Sequence, residues 1–323
     1  MSLDGGIIAL GEALEDWVPS EDGTWLKLQG GAPLNLVCQA SNLGVRSALI
    51  TVLGCDEASE RMRRRFEEYR LDLRAVRFDP DTVLCHTEVK VDPSTGEREF
   101  RFFKDRASFA TLRVSDIRID LLKDYTVLHC GTVALQNQDV IEAQLAACRM
   151  ARALGMVVTF DPNLRDGLFE GDTQIQLSRQ FLPFAHILKV GEDEVRTIAG
   201  IDDTEEAIKS LMSSYPELLL VVCTLGDKGI RLYSRNLEPI FVPAYKPKVI
   251  KDTVGCGDVT FGAFIASLIQ AGMCGPEWLY SVSESTLTTA LKAAAAAGSL
   301  QCEHSGAFPI PIAEEIQNRI EGA

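Results

Sequence analysis

The chain of 323 residues, 46% of them apolar and 24% charged, is long enough to bury the core of one large α/β domain, alone or with a smaller appendage. Its net charge of -14 argues against nucleic acid and anionic membranes as main partners, though not against a small phosphorylated ligand held by local N–H groups and one or two cations. The nine cysteines show no Cys-x-x-Cys pair and no Cys/His metal spacing, no basic and apolar leader is evident, and no apolar run reaches membrane-spanning length, so a cytoplasmic protein with reduced thiols is expected.

Ile7 to Leu10 reads as a short apolar strand closing on the polar run Gly11-Glu12-Ala13-Leu14-Glu15-Asp16. Loops at the carboxyl edge of an open α/β sheet are where such folds place ligands, and a carboxylate accepts two directional hydrogen bonds from a diol, so Asp16 is a candidate binding residue. Gly30-Gly31-Ala32-Pro33-Leu34-Asn35 then opens a helix reaching Gly44. Gly30 and Gly31 permit close backbone approach, Pro33 suits a first helical turn, and Asn35 offers a donor and an acceptor from that turn. Ser47 to Leu53 is a second buried strand. From about Ala58 to Tyr69 a helix alternates Arg61, Arg63, Arg64 and Arg65 with Glu60, Glu67 and Glu68, the pattern of a solvated face. After Asp79-Pro80-Asp81, the runs Val83 to Val91 and Glu97 to Phe103 alternate in β fashion around a turn-rich connection, predicting a hairpin. With the strand-like Trp17-Val18 and Trp25 to Leu28, it can form a small separate sheet.

From Val127 the order is strand, helix (about Val140 to Leu154), strand (Met156 to Phe160), which predicts a mainly parallel sheet with helices on both faces. Phe160-Asp161-Pro162-Asn163-Leu164-Arg165 follows at a strand's carboxyl end, where Asn163 could meet a hydroxyl and Arg165 a phosphate or carboxylate. Ile187 to Glu194 is another strand-to-helix junction, carrying Lys189 as a cation for phosphates. Leu218 to Cys223 leads into Thr224-Leu225-Gly226-Asp227-Lys228-Gly229, by shape alone a hairpin turn into Ile230 to Tyr233; no Walker A loop and no Gly-x-Gly-x-x-Gly fingerprint occurs. Asp252-Thr253-Val254-Gly255-Cys256-Gly257-Asp258 runs directly into an apolar helix expected to stop near Gly272. Glycines opening a helix aim free N–H groups and the positive dipole end at one point, which suits an anion, and Asp258 would stand beside it as a proton acceptor. Read singly, Asp258 could equally be a dipole-favourable acid at a helix start. An alanine-rich helix around Leu291 to Ala297 is expected to end in Gly298, ahead of Gly306-Ala307-Phe308-Pro309.

The 252–258 run resembles the C-terminal signature of the ribokinase-like (PfkB) carbohydrate kinases, and the Gly-Gly pair, Asn35 and Gly44-terminated helix resemble their N-terminal one. The resemblance extends from Ile7 to Pro309. It departs at Cys256, where the family usually has Ala, at Glu15, where an apolar residue is usual, and at Gly191, where relatives carry Asn.

That likeness implies a ribokinase-like αβα sandwich with a mainly parallel central sheet, in which residues 4–14, 31–80 and 108–323 form the core and 15–30 and 81–107 a small β-sheet lid over a sugar site. It implies transfer of the γ-phosphate of ATP, as its Mg²⁺ complex, to a sugar hydroxyl. Asp258 would be the base, with Gly255, Cys256 and Gly257 as anion hole. Asp16, Gly30, Gly31, Asn35, Asn163 and Arg165 would contact the sugar, with Lys104 or Arg106 as a further cation. Lys189, Thr224, Gly226, Gly229 and Gly306 would frame the nucleotide, Glu194 would support Mg²⁺ through water, and Asp252 would adjoin a K⁺ ion. The Gly-Glu-Ala-Leu-x-Asp opening resembles bacterial fructokinases and points to fructose. The runner-up is 2-keto-3-deoxygluconate, whose carboxylate could pair with Arg165 or Arg106; a non-catalytic sugar or nucleotide sensor is the alternative of another class. A homodimer through the lid is the expected assembly.

Overall fold

The computed structural model describes residues 5–20, 24–91, 98–103 and 106–322. Its strands are β1 (Gly6–Leu10), β2 (Leu14–Pro19), β3 (Trp25–Gly30), β4 (Arg46–Leu53), β5 (Val76–Phe78), β6 (Cys85–Val91), β7 (Arg98–Phe103), β8 (Val127–Gly131), β9 (Val157–Asp161), β10 (Ile187–Gly191), β11 (Leu220–Thr224), β12 (Gly229–Ser234) and β13 (Ile240–Pro243). The helices are α1 (Ala32–Asn42), α2 (Glu57–Glu68), α3 (Ile119–Leu122), α4 (Gln138–Ala153), α5 (Thr173–Phe181), α6 (Glu192–Ala199), α7 (Thr204–Ser214), α8 (Cys256–Gln270), α9 (Trp278–Ser281), α10 (Glu284–Gln301) and α11 (Ala313–Glu321).

Apolar runs such as Gly6–Leu10 and Leu220–Thr224 have no polar alternation, because helices cover both faces of the sheet they build. That sheet has nine strands in the order β13-β12-β11-β10-β9-β8-β1-β4-β5, parallel except at β11-β12 and β12-β13. Successive residues of a strand point to opposite faces. Ile7 and Ala9 accordingly join one core with Leu34, Phe66, Phe261 and Leu291, while Ile8 and Leu10 join the other with Val140, Leu177, Val195 and Ile208. Each such Val, Leu, Ile or Phe side chain fully buried stabilises the fold by about 2 kcal/mol, so the two apolar layers hold the sheet in place. The chain leaves β1 toward β4 on one side and returns to β8 on the other. Outside the carboxyl ends of strands at such a reversal, open α/β sheets have a crevice.

The second sheet, in the order β3-β2-β6-β7, is separate. Its expected hairpin is present, with Val91 paired to Arg98 and His86 to Phe103, and β6 lies parallel to β2. The predicted solvated face of α2 is also found: Arg63 pairs with Glu60 and Glu67, and Arg65 with Glu68, while Met62 and Phe66 are buried.

One expectation is corrected. The alanine-rich helix does not end in Gly298; α10 continues to Gln301. A Cβ at Gly298 would lie 2.3 Å from the Thr260 hydroxyl of α8. The glycine therefore serves close helix contact rather than termination. Among the described residues no helix is long and apolar enough to cross a membrane.

Candidate functional site

A cleft of about 470 Å³ opens where β1, β9 and β10 end and α1 and α8 begin. Into it the fold brings Asp16, Gly31, Asn35, Asn163, Arg165, Lys189, Glu194, Gly255, Gly257 and Asp258, all expected site residues. Gly255 is the N-cap of α8 with φ 75°, a left-handed conformation that favours glycine, and a side chain there would crowd Ala307 at 3.2 Å. A helix start leaves its first N–H groups without intrahelical partners. That of Cys256 is turned to the Thr253 carbonyl at 3.3 Å.

Asp258, in the first turn of α8, is 8% exposed and accepts a hydrogen bond from the Asn35 amide at 2.9 Å. Burial pushes its carboxyl up to about 6, against the opposing pull of Lys189, with Asp161 adding to the rise and the Asn35 bond and Arg165 reducing it. Asn35 Oδ1 is buried and has no partner among the described residues, which leaves an acceptor for a bound hydroxyl. Lys189 on β10 donates to Asp161 at 2.9 Å, and its ammonium sits where a Cβ on Gly257 would come within 3.1 Å. Burial opposes that charge, but the carboxylates of Asp161, Glu194 and Asp258 outweigh it and hold the lysine above its usual range.

Glu194 binds the Leu164 N–H at 2.8 Å through one oxygen and the Gly191 N–H at 2.7 Å through the other, tying the 161–165 loop to the start of α6. At Gly191 an added Cβ would meet only ordinary contacts, the nearest at 3.5 Å, so the fold does not require glycine there.

The acceptor side is built by close approach. A Cβ on Gly31 would lie 2.5 Å from the Glu12 carbonyl, and one on Gly30 would lie 3.2 Å from the Asp16 carboxylate. Glu12, a residue sequence reasoning passed over, is 3% exposed in the cleft wall and accepts the Ala32 N–H at 3.1 Å. Burial pushes it up to about 8, opposed by backbone hydrogen bonds and aided by Asp258. Thr87 of β6 also lines the cleft, with a buried hydroxyl lacking a partner among the described residues. The Gly-Glu-Ala-Leu phrase could have flagged Glu12; nothing in the strand alternation singles out Thr87.

The remaining expected residues lie outside this lining. Thr224 is paired in register with Gly191, so the 224–229 turn adjoins the start of α6. Gly229 opens β12, and any side chain there would meet the Val242 carbonyl at 2.2 Å, so strand packing accounts for it. Gly306 donates its N–H to Asp252 at 3.0 Å; the other oxygen of Asp252 accepts the N–H groups of Thr253 and Val254. Asp252 thus joins the loop before α8 to the loop after α10. Arg106 is exposed and turns its guanidinium to the Asp81 carbonyl, away from the cleft. Lys104 lies outside the described residues. Cys256 meets Cys302 with sulfurs 3.0 Å apart.

This combination, a buried carboxylate at a glycine-opened helix start with a lysine beside it, suits deprotonation of a hydroxyl that attacks a phosphoryl group. Comparison with known proteins agrees with the chemistry. The profile of the pfkB family carbohydrate kinases matches residues 7–313. Fructokinase-1 of Zea mays is 31% identical over 331 residues, spanning 98% of both chains. The crystal structure of the fructokinase from Xylella fastidiosa with bound ATP has a TM-score of 0.90 at 23% identity over 98% of each chain, a likeness of fold. A double mutant of the Vibrio cholerae O395 fructokinase, in its fructose, ADP and potassium ion bound form, has a TM-score of 0.85 at 26% identity, again over 98% of each chain.

Proposed function

We propose that this chain, which belongs to the pfkB family of carbohydrate kinases, is a fructokinase that transfers the γ-phosphoryl group of ATP to a hydroxyl of fructose. The observation that carries the reading is Asp258, buried in the first turn of α8 and oriented by Asn35. Fructose as acceptor is supported by the fructokinase relatives that match along the whole chain.

In this reading the sugar sits against Gly30 and Gly31, with Asp16, Asn35 and Asn163 accepting and donating to its hydroxyls. Asp258 takes the proton of the attacking hydroxyl; raised to about 6, it is ionised at neutral pH yet basic enough to be effective. The N–H groups of Gly255 and Gly257 face the charge that develops on the phosphoryl group, each such donor being worth roughly 3 kcal/mol at the transition state, whereas the Cys256 N–H expected beside them is spent on the Thr253 carbonyl. Lys189, kept charged by its carboxylate neighbours, meets the ATP phosphates, while Thr224, Gly226, Gly229 and Gly306 frame the nucleotide. The chemistry that Mg²⁺ would supply there, accompanying ATP, is neutralisation of the phosphate charge. Glu194 would hold that ion through water, since its own oxygens already serve two N–H groups and no cluster of three or more His, Cys, Asp or Glu side chains among the described residues could hold a metal alone. Asp252 marks where K⁺ would add to the link between the two loops. The smaller sheet acts as the lid, its strands falling within the 15–30 and 81–107 segments apart from Leu14, and its closure would exclude water.

Arg165 in the cleft wall favours one second reading, 2-keto-3-deoxygluconate, whose carboxylate it could pair. The test is ADP release with Mg-ATP and K⁺ across fructose, 2-keto-3-deoxygluconate, ribose, glucose, tagatose and adenosine. Fructose should lead in kcat/KM by about tenfold or more; a lead for the acid sugar that Arg165→Ala removes would replace it. The lid also suggests a dimer, because edge strand β3 leaves Trp25 and Leu26 41% and 50% exposed. A one-chain mass in light scattering would remove that assembly.

A further inference from the structure

The cysteine that departs from the family pattern has a partner. Cys256 and Cys302 are 46 positions apart in sequence, yet their sulfurs stand 3.0 Å apart and both residues are partly exposed. The other close pair, Cys130 and Cys148, is wider at 3.8 Å and buried away from any oxidant. Cys256 opens α8, immediately before Gly257 and Asp258. Cys302 follows α10, and its carbonyl accepts the N–H groups of Lys251 and Asp252.

We propose that Cys256 and Cys302 form a reversible disulfide that shuts the phosphoryl-transfer site, a regulation that rests on reading the α8 start as the anion hole. The oxidant is a peroxide. One thiolate attacks the O–O bond and becomes a sulfenic acid, releasing hydroxide that takes up the proton lost by that thiol. The second sulfur then displaces the sulfenic oxygen, which leaves as water with the second thiol's proton, and the S–S bond forms. Two thiols and one hydrogen peroxide thus give one disulfide and two waters. A dithiol reverses the step by exchange.

The sulfurs must close by about 1 Å to reach disulfide bonding distance, ~2.05 Å. The bodies of α8 and α10 cannot supply that movement, because they already touch where Gly298 meets Thr260. The closure falls on the 255–257 turn or on the loop beginning at Cys302. The turn is confined by Ala307 on one side and Lys189 on the other, and the loop carries the Gly306 N–H bonded to Asp252. A 1 Å misplacement of positioned reacting groups costs up to about 100-fold in rate.

The experiment treats the whole protein with hydrogen peroxide, maps cysteine peptides by mass, and follows ADP release with fructose before and after dithiothreitol. A peptide linking Cys256 to Cys302, lighter by two hydrogens, is expected, with a rate loss of at least about tenfold that the dithiol reverses. Cys302→Ala should keep the reduced rate and resist the oxidant, and Cys302→Ser should do the same if the alanine variant folds poorly. Absence of the linked peptide overturns the proposal, as does a linked enzyme with unchanged rate. Equal inactivation of the Cys302 variants would also overturn it and move the sensitivity to exposed Cys55 or Cys274. Should the reduced enzyme release no ADP with any sugar, the fructose reading fails by itself. The bridge is then still judged by the linked peptide and by calorimetric ATP affinity, which bridging should lower at least about tenfold.

Discussion

The two sheets divide the labour of the cleft unequally. The nine-stranded sheet is buried on both faces, and the groups that it and its flanking helices present are partnered: Lys189 with Asp161 as an ion pair, and Asp258 of α8 with the Asn35 amide of α1 by a hydrogen bond. The smaller sheet has an exposed apolar edge at Trp25 and Leu26, and among the described residues it contributes Asp16 and Thr87 to the lining but no ammonium or guanidinium. Charges that must hold sub-ångström positions need the dense packing and low dielectric of the first; hydroxyl recognition tolerates the looser second.

The comparison breaks first at Asp258. Asp258→Asn should lower kcat by at least about 100-fold, and the wild-type rate should fall as pH drops through about 6, where its carboxylate is protonated. A variant as fast as wild type would take the chemistry away from the large sheet. Lys189→Met is the next largest. It leaves Asp161 and Asp258 buried without their cation, costing about 3 kcal/mol of stability. Because Lys189 pulls the Asp258 pKa down, its removal should also move the acid limb of the rate profile above 6. Chemical denaturation and pH–rate profiles read the two effects separately, and an unmoved limb would show that Lys189 does not act on Asp258.

What could be read from residue order is what local geometry determines. The Gly255 turn, the Asp258 helix start and the alternating layers all follow from neighbours within one turn or one strand. Gly298 defeats the helix-stop expectation because its glycine answers to Thr260 of another helix, and a stop signal and a packing signal look alike in one dimension. Glu12 carries no local signal of its structural role, since its bond is to Ala32, twenty residues on. Arg106, itself a candidate cation, spends its guanidinium on the Asp81 carbonyl, a backbone partner that residue order does not announce. The Cys256–Cys302 meeting has no spacing rule at all.

Glu12 sharpens the comparison at smaller scale. Its folded value of about 8 lies above its ordinary 4.5, so the folded protein holds this proton more tightly than the unfolded chain. Stability from this group is therefore complete below about 4.5 and is lost progressively as pH rises to 8. Glu12→Gln keeps an acceptor for Ala32 without the ionisation, so at pH 8 it should melt higher than wild type, by roughly 5 °C. At pH 4 the two should melt together. Equal melting at both pH values would mean that Glu12 titrates normally.

The smallest expected effect belongs to the smaller sheet. Thr87→Val keeps the shape of the side chain and removes one hydroxyl whose oxygen has no partner among the described residues. If that hydroxyl meets the sugar, its loss costs about 1 kcal/mol of binding, a roughly fivefold rise in KM for fructose with kcat nearly unchanged. The split matters more than the size. A fall in kcat at constant KM would mean that the smaller sheet acts on the transition state as the larger one does, and the division of labour between them would be wrong.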